Sequence, residues 1–382
     1  EEGDIGFIAE IKLQSPSSGT FTSFSTSTLG KREKMDKRII VQKMPQQTRP
    51  KTAAKKFKKA EKHDDMIKRS LRYSVMEGSF ISAGSSIINS FLVPFALFLK
   101  ATSAQIGLMS SMQSLASTFG QLPGAMLTEK YRRKSIWLFV QVVAKIALWV
   151  PVMLLPFLPV GNKVYWLIIL VSITAFLVGM RTPAWTSFIG DLVPSNIRGR
   201  YFGRRNMMLG AAGIASTLLA GYVLTYYGFP AIFALVILFS VLAIPFFMRQ
   251  YEPPMKKVFH YRHRFAVNPS KWPTAVRANR PMAIFTLYMI LTNVFVEMVS
   301  PFYSVYMLRD LGIDYATFSI LIVMGALARI LSFRYWGRVS DKYGSRKIFI
   351  VCSFFGIFVP LLWTSVVSET GAALVMIYDG LI

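Results

Sequence analysis

The sequence predicts an all-α membrane protein built from two related halves of six helices each. Three observations support this fold class. The chain contains long apolar runs, its basic residues are concentrated in alternate loops, and a short basic signature occurs twice. The two copies of the signature lie about 212 residues apart, and each follows the second apolar run of its half. Duplicated membrane proteins of this kind typically have two halves that rock about a central site.

The apolar runs are long enough to cross a lipid bilayer. Apolar residues make up 53% of the 382 positions and charged residues 16%, compared with about 25% charged residues in an average soluble chain. A helix needs about 20 apolar residues to cross about 30 Å of hydrocarbon. Nine runs qualify: 73–99, 104–127, 135–158, 164–190, 206–228, 230–248, 282–308, 315–336 and 348–367. A tenth run begins near Gly371. They are apolar throughout rather than alternating, which predicts helices and argues against a β-barrel.

The net charge of +25 has a distribution that is typical of membrane topology rather than of nucleic-acid binding. Four loops, at 128–134, 191–205, 249–280 and 337–347, hold 20 Lys and Arg residues. The five loops between them hold three: Lys100, Lys163 and Arg309. This alternation predicts that the N-terminus and the basic loops are cytoplasmic in a multi-pass protein of the plasma or inner membrane. No nucleic-acid partner is expected.

Four regions follow from these runs. They are a basic tail at 1–72, an N-terminal six-helix bundle at 73–248, a cytoplasmic linker at 249–281 and an incomplete C-terminal bundle at 282–382. The tail is rich in Ser, Thr and Lys, so we expect it to be disordered. Its basic run 51–62 is a candidate contact for anionic lipid, and the alternative is a solvated cytoplasmic leader. The tenth apolar run stops at Ile382, which predicts a fragment that lacks about two and a half spans.

The sequence contains no motif for catalysis, metal binding or nucleotide hydrolysis. The single cysteine, Cys352, lies inside an apolar run and cannot form an internal disulfide. There is no Walker A sequence, no zinc-spaced set of ligands and no nucleophile elbow. We therefore expect a protein that is not an enzyme and that has no cofactor.

The repeated signature differs between its two copies. The second copy combines Gly337 with the run Asp341-Lys-Tyr-Gly344-Ser-Arg346-Lys347. The first combines Gly124 with the run Glu129-Lys-Tyr-Arg132-Arg133-Lys134, which lacks the inner glycine. A third basic loop, after the fourth span, begins at Asp191-Leu-Val-Pro and continues to Arg198-Gly-Arg.

These residues resemble the major facilitator superfamily over roughly 73–382. In that family the pattern G-x-x-x-D-[RK]-x-G-[RK]-[RK] follows spans two and eight, and the second copy here fits it well. The resemblance implies a twelve-helix fold of two pseudo-symmetric halves. It also implies alternating access for a small-molecule substrate, with a proton or Na⁺ as the coupling ion. The first copy departs from the pattern at Glu129 and at the missing glycine. Whether this copy forms the family's tight turn is therefore left undecided by the sequence.

The signature residues are the candidates for control of gating. A carboxylate at the end of a span can pair with basic residues of a neighbouring loop and with helix termini. The alternative is that the basic loops only fix orientation. The gating candidates are Gly124, Glu129, Arg132, Arg133, Lys134, Asp191, Arg198, Gly337, Asp341, Gly344, Arg346 and Lys347.

The resemblance implies that spans one, four, seven and ten line a central cavity. The candidate cavity residues are Glu77, Asn89, Arg181, Trp185, Asn293, Glu297 and Tyr303. An ionisable residue inside a span costs about 3 kcal/mol or more unless it is paired or hydrated, so each one needs a reason. We hypothesise that Arg181 holds an anionic group and that Glu297 carries a coupling proton. The alternative is that the two form a static ion pair between helices.

The resemblance thus predicts a secondary transporter that is coupled to an ion gradient. A membrane sensor or receptor that uses the same scaffold without transport is the alternative from another class. Within transporters, uptake by a symporter and efflux by an antiporter both remain open. Arg181 favours an anion or a polyol as the substrate.

Overall fold

A computed structural model of the chain describes residues 51–194, 197–254 and 279–382, and all regular structure in these ranges is helical. Residues 1–50 of the predicted tail and 255–278 of the predicted linker lie outside the described residues. So do the side chains of residues 51–64, Arg334, Asp341 and Ser345.

Eleven α-helices are described, and two short π-helices interrupt or extend them. The α-helices are α1 Lys51–Phe98, α2 Ser103–Lys130, α3 Arg133–Val142, α4 Trp149–Leu154, α5 Lys163–Leu192, α6 Arg198–Met248, α7 Arg280–Val305, α8 Tyr315–Tyr343, α9 Ser345–Gly356, α10 Phe358–Thr364 and α11 Glu369–Leu381. One π-helix, Val143–Ala147, joins α3 to α4, and the other, Tyr306–Asp310, follows α7.

Seven of the described helical stretches are long and apolar enough to cross a membrane. They correspond to the predicted runs with one difference. The runs 206–228 and 230–248 follow one another in α6 as two helices that meet at a kink at Gly228, where φ is 77°. The run 104–127 forms α2, which is helical but less apolar than the seven because it is rich in Ser, Thr and Gln.

The chain divides into two compact units, residues 1–64 and residues 65–382. In the first unit residues 51–64 are helical, and in the second the helix covers 65–72. The prediction of a disordered tail to residue 72 is therefore wrong for residues 51–72. This stretch is rich in Lys and also contains Ala and Arg, whose high helix propensity outweighs its polar character.

Helices α2 and α5 pack backbone against backbone. A Cβ atom added to Gly120 or Gly179 would lie 2.1 Å from the carbonyl oxygen of Phe176 or Ser117, respectively. One added to Gly124 would lie 2.3 Å from the carbonyl oxygen of Met180. Small residues allow helices in lipid to approach this closely, since packing rather than hydrophobic burial drives their association.

The two halves of the second unit meet at the end opposite to the basic loops, called here the opposite end. The ring centroids of Phe91 and Phe318 are 6.2 Å apart, and those of Phe229 and Tyr315 are 5.5 Å apart. Their residues share one buried core cluster. The second cluster, at the end that carries the basic loops (the basic end), combines N-terminal-half residues with Leu71 before them and Tyr251 after them, and includes no described residue of the C-terminal half.

The two signature loops turn in different ways. Gly344 ends α8 at φ 89°, a conformation that favours glycine, and α9 starts at the next residue. In the first copy, Tyr131 and Arg132 separate α2 from α3 with extended backbones at φ −114° and −61°. The longer link needs no positive φ, which explains how the first copy turns without the inner glycine.

Candidate functional site

A cavity of about 290 Å³ lies inside the N-terminal half. Four elements line it: α1, α3, α5 and α6. Its charged side chains are Glu77, Arg181 and Arg205, and two tryptophans, Trp137 and Trp185, form part of its wall. Charged groups and aromatic rings around one concave space are typical of ligand sites.

Helical spacing brings these side chains together. Arg181 and Trp185 are four residues apart on α5, and Arg205 and Leu209 are four apart on α6, so each pair shares a helix face. On α3, Trp137 and Gln141 show the same spacing. The π-helix Val143–Ala147 then widens the turn that carries Lys145, which is 9% exposed. Single π-turns of this kind occur frequently at functional sites.

Arg181 is one of the two arginines that line the cavity. Its Nη1 atom donates a hydrogen bond of 3.2 Å to Oε1 of Gln141, and its guanidinium lies 5.8 Å from the ring centroid of Trp137. Its electrostatic partners are Glu77 and Lys145. The side chain is only partly buried, so the guanidinium keeps donors available to a ligand.

Glu77 is the carboxylate of the site, and only 2% of it is exposed. It faces Arg181 on α5 and Arg205 on α6, with Gln250 beside it. Its Oε2 atom is buried and has no hydrogen-bond partner among the described residues. The guanidinium of Arg205 in turn lies 5.0 Å from the ring centroid of Trp185.

The charges of this group do not balance. Arg181 and Arg205 are two guanidinium cations, Lys145 is a third basic group near Arg181, and Glu77 is the one carboxylate that faces them within the described part of the chain. Uncompensated charge at membrane depth is costly, and such residues mark substrate or ion pathways. The arrangement can therefore accept an anionic group, or exchange a proton at Glu77.

The other predicted cavity residues lie elsewhere. Glu297 is on the exposed face of α7, and the structure does not bring it to Arg181, whose acidic neighbour is Glu77. Asn89 is also exposed, and Asn293 donates a hydrogen bond of 2.7 Å to the carbonyl of Met289 in its own helix. Tyr303 stacks on Trp363 at 4.9 Å. Only Glu77, Arg181 and Trp185 of the predicted set line the cavity.

Sequence reasoning missed three further polar groups in or near membrane helices. The apolar run 206–228 begins one residue after Arg205, which places Arg205 in the preceding loop, and nothing in the sequence singles out Gln141. Asp379 was also overlooked. In the structure it pairs with Arg329 at 3.0 Å, joining α11 to α8. The feature that identifies Arg205 as a site residue is its closeness to Trp185 and Arg181 on the neighbouring helix. Sequence alone does not reveal that closeness.

A larger cavity of about 770 Å³ opens at the opposite end, between the 97–104 and 308–315 segments. Lys100 and Arg309 line it, and both are exposed. None of its lining residues contributes a buried polar atom without a partner among the described residues. We therefore take the smaller cavity as the candidate site.

The first signature loop makes a half-buried ion pair at the basic end. Nη1 of Arg133 lies 2.7 Å from Oδ2 of Asp191 and also donates to Ser187. Nη2 of Arg133 donates a bond of 2.7 Å to the carbonyl of Pro253. Lys134 donates to the carbonyls of Met248 and Gln250. These contacts stay within the N-terminal half and the start of the linker.

The remaining signature residues make fewer contacts. Arg198 donates a bond of 3.1 Å to the carbonyl of Gly190. Glu129, Arg132, Arg346 and Lys347 are exposed, and no ion pair is found for them among the described residues. Gly124 packs against α5, whereas Gly337 has open space around it. Asp341 lies outside the described side chains.

Replacing Arg133 with alanine is expected to lower the free energy of unfolding by about 2 kcal/mol or more. Breaking a fully buried pair costs about 3–5 kcal/mol, and Asp191 is 29% exposed, which reduces the cost here. Thermal unfolding in detergent micelles measures the effect. The exposed neighbour Arg132, also changed to alanine, is the matched control. Equal stability of the two variants would contradict a structural role for the pair.

Comparison with known proteins identifies the family. The sequence matches the Major Facilitator Superfamily profile over residues 78–381, most of the chain. The chain belongs to the major facilitator superfamily. It is accordingly a multi-pass membrane transporter rather than an enzyme, as the signature residues predicted. No curated protein matches the sequence significantly.

Solved structures of superfamily members share this fold. A point mutant of the nucleoside transporter NupG aligns with a TM-score of 0.59 and 14% identity, over 81% of this chain and 79% of that one. A D-xylose-proton symporter aligns at 0.57 and 13% identity, over 82% and 79%. An inward-facing bacterial homologue of the human lysosomal transporter Spinster aligns at 0.55 and 14% identity, over 83% and 72%. Identities this low show the fold alone.

Proposed function

We propose that this superfamily member is a proton-coupled secondary transporter of a small solute that carries an anionic group. The observation that carries the proposal is the charge imbalance of the N-terminal cavity. Arg181 and Arg205 face the cavity with Lys145 behind them, and Glu77 is the acid between the arginines. A bound anion would neutralise the excess positive charge of these residues at membrane depth.

Glu77 is proposed as the residue that couples transport to protons. When the arginines bind an anion, the negative charge of the anion offsets part of their attraction for the Glu77 carboxylate. The protonated, neutral form of Glu77 is then favoured. Substrate binding and proton binding would then be linked, and each would favour the other. The named D-xylose-proton symporter is one structural neighbour that couples a solute to a proton, and its solute differs from an anion.

The packing of the halves supports alternating access. The described N- and C-terminal halves share a core at the opposite end, whereas the core cluster at the basic end includes no described residue of the C-terminal half. In our proposal the basic end faces the cytoplasm, which agrees with the positive-inside pattern. The state described here is then closed on the outer side, and the residues 73–248 and 282–382 act as the two moving bodies.

Reconstitution into liposomes tests the proposal. Purified protein is reconstituted into vesicles that contain the pH dye pyranine and is exposed to mono- and dicarboxylates, sugar acids, phosphate esters, neutral sugars and organic cations. We expect a pH change inside the vesicles only with a subset of the anions. The variant Glu77→Gln should retain counterflow of the same solute, because exchange needs no net proton movement, and should lose the pH change.

The matched control is Glu297→Gln, the exposed carboxylate on α7. This variant should retain both counterflow and proton movement. Transport of only neutral or cationic solutes would overturn the anion assignment. Proton movement that persists in Glu77→Gln and disappears in Glu297→Gln would return the coupling role to Glu297. Specific binding without counterflow would favour a sensor.

A further inference from the structure

Buried polar atoms without hydrogen-bond partners cluster on the basic-end side of the cavity. Five such atoms among the described residues are Ser74 Oγ, Glu77 Oε2, the Tyr201 hydroxyl, Arg205 Nε and Gln250 Nε2. Four of these residues are at least nine-tenths buried, with exposed fractions of 1% for Ser74, 2% for Glu77, 3% for Gln250 and 6% for Arg205. We call this group the polar chamber.

The members of the polar chamber are neighbours. The Tyr201 hydroxyl interacts with Ser74, Arg205 and Glu77, and Gln250 interacts with Glu77. Within the described part of the chain, none of the five atoms nevertheless has a partner at the distance and angle of a direct hydrogen bond. Helical register produces the group, since Ser74 precedes Glu77 by three residues on α1 and Tyr201 precedes Arg205 by four on α6.

The start of the linker closes the chamber at the basic end. The backbone N–H of Tyr251 donates a bond of 2.6 Å to Oγ of Ser70, one turn before Ser74. Lys134 holds the backbone carbonyls of Met248 and Gln250, and Arg133 holds that of Pro253. The first signature loop thereby fixes the segment that places the Gln250 side chain over Glu77.

The polar atoms of the chamber suit water better than a metal cation. Glu77 Oε2 accepts, Arg205 Nε and Gln250 Nε2 donate, and the hydroxyls of Ser74 and Tyr201 can do both. A buried water typically makes about three hydrogen bonds to otherwise unsatisfied groups of both kinds. A metal cation would be repelled by the charge of Arg205, whereas neutral water is not.

We propose that the polar chamber binds ordered water and is the route by which Glu77 exchanges its proton with the solution at the basic end. The inference rests on the proposed role of Glu77 as the coupling residue. Tyr201 and Ser74 relay the proton through the water, and Gln250, whose backbone the signature loop holds in place, donates from Nε2 to that water. The charged groups that face Glu77 are Arg181 on α5 and Arg205 on α6, with Lys145 beyond Arg181.

Time-resolved infrared spectroscopy tests this route without a substrate. The whole chain in lipid nanodiscs is exposed to a pH jump from a photolysed caged proton, and the carboxylic C=O band of protonated Glu77 is followed. Glu77→Gln identifies the band by removing it. In Tyr201→Phe and Gln250→Leu we expect the band to reach its normal amplitude at a rate about tenfold lower. The fold should persist, since Tyr201→Phe keeps the ring that packs on Phe202 at 5.5 Å.

Tyr222→Phe is the matched control, because Tyr222 lies on the same helix, is 61% exposed and is outside the chamber. Its rate should equal that of the unmodified protein. If the Glu77 band reaches full amplitude at an unchanged rate in both Tyr201→Phe and Gln250→Leu, the water route is overturned and Glu77 stays the coupling residue. Absence of a Glu77 band at any pH from acid to alkaline would instead overturn the coupling role itself, and the route with it.

Discussion

Replacing Arg181 with glutamine is expected to weaken binding of the anionic solute about a hundredfold or more. A charge-assisted hydrogen bond contributes about 1.5–3 kcal/mol, and the forked guanidinium can make two of them to one anionic group. Glutamine keeps a donor of similar reach but no charge. The Arg181 side chain is only partly buried and hydrogen-bonds Gln141, so the change is directed at the ligand more than at the fold.

Equilibrium binding to the purified protein, with the solute found by the liposome panel, measures this effect. Arg198→Gln is the matched control, because Arg198 lies at the start of α6 and its Nη2 atom contacts the carbonyl of Gly190, away from the cavity. Arg181→Lys should recover part of the affinity, since it restores the charge without the fork. An unchanged dissociation constant in Arg181→Gln would remove Arg181 from the binding site.

Introducing leucine at Gly179 is expected to prevent correct folding. Even a Cβ atom there would lie 2.1 Å from the carbonyl oxygen of Ser117, so α2 and α5 would have to separate. Overpacking costs about 1–3 kcal/mol where side chains can yield, and here the obstacle is backbone, so the loss should exceed about 3 kcal/mol. Arg181, two residues further along α5, would move away from Gln141 as well.

Fluorescence-detected size-exclusion chromatography and thermal unfolding in detergent check this prediction. Gly190→Ala, on the same helix with no heavy atom within 4 Å of the added Cβ, is the matched control. It should be as stable as the unmodified protein, or more stable by about 0.5–1 kcal/mol, because alanine favours the helix. A monodisperse Gly179→Leu variant that unfolds at the same temperature would show that the close approach of α2 and α5 is not required.

The degenerate first signature has a structural explanation. The second copy keeps Gly344, whose positive φ allows α9 to follow α8 directly. The first copy uses a two-residue extended link, and its Arg133 and Lys134 hold the backbone between Met248 and Pro253. This loop therefore fastens the linker to the N-terminal half. Its contact with Gln250, which lies beside Glu77, connects the loop to the proposed proton site, and the second copy has no such contact within the described residues.

The candidate site was only partly predictable. Arg181 and Glu77 stood out because charges inside apolar runs are rare, and both line the cavity. Glu297 stood out for the same reason and lies on an exposed face of α7. The sequence does not identify Arg205 as a site residue, because a basic residue at the end of an apolar run has the same sequence pattern whether its side chain lies in a loop or in a cavity. The rarity of charged residues inside apolar runs identifies candidate site residues. It does not reveal which other side chains they contact.

The helical membrane fold, the alternation of apolar helices with basic loops and the membership of the superfamily all followed from the order of residues along the chain. Lipid imposes these features locally, because each crossing needs a minimum apolar length and each loop charge affects orientation. The packing of the helices was needed to show that Glu77 rather than Glu297 is the acid beside Arg181. Helices that are apolar on every side carry no periodic pattern to reveal which face is buried, so the rotation of each helix about its axis is set by contacts such as those of Gly179 with Ser117.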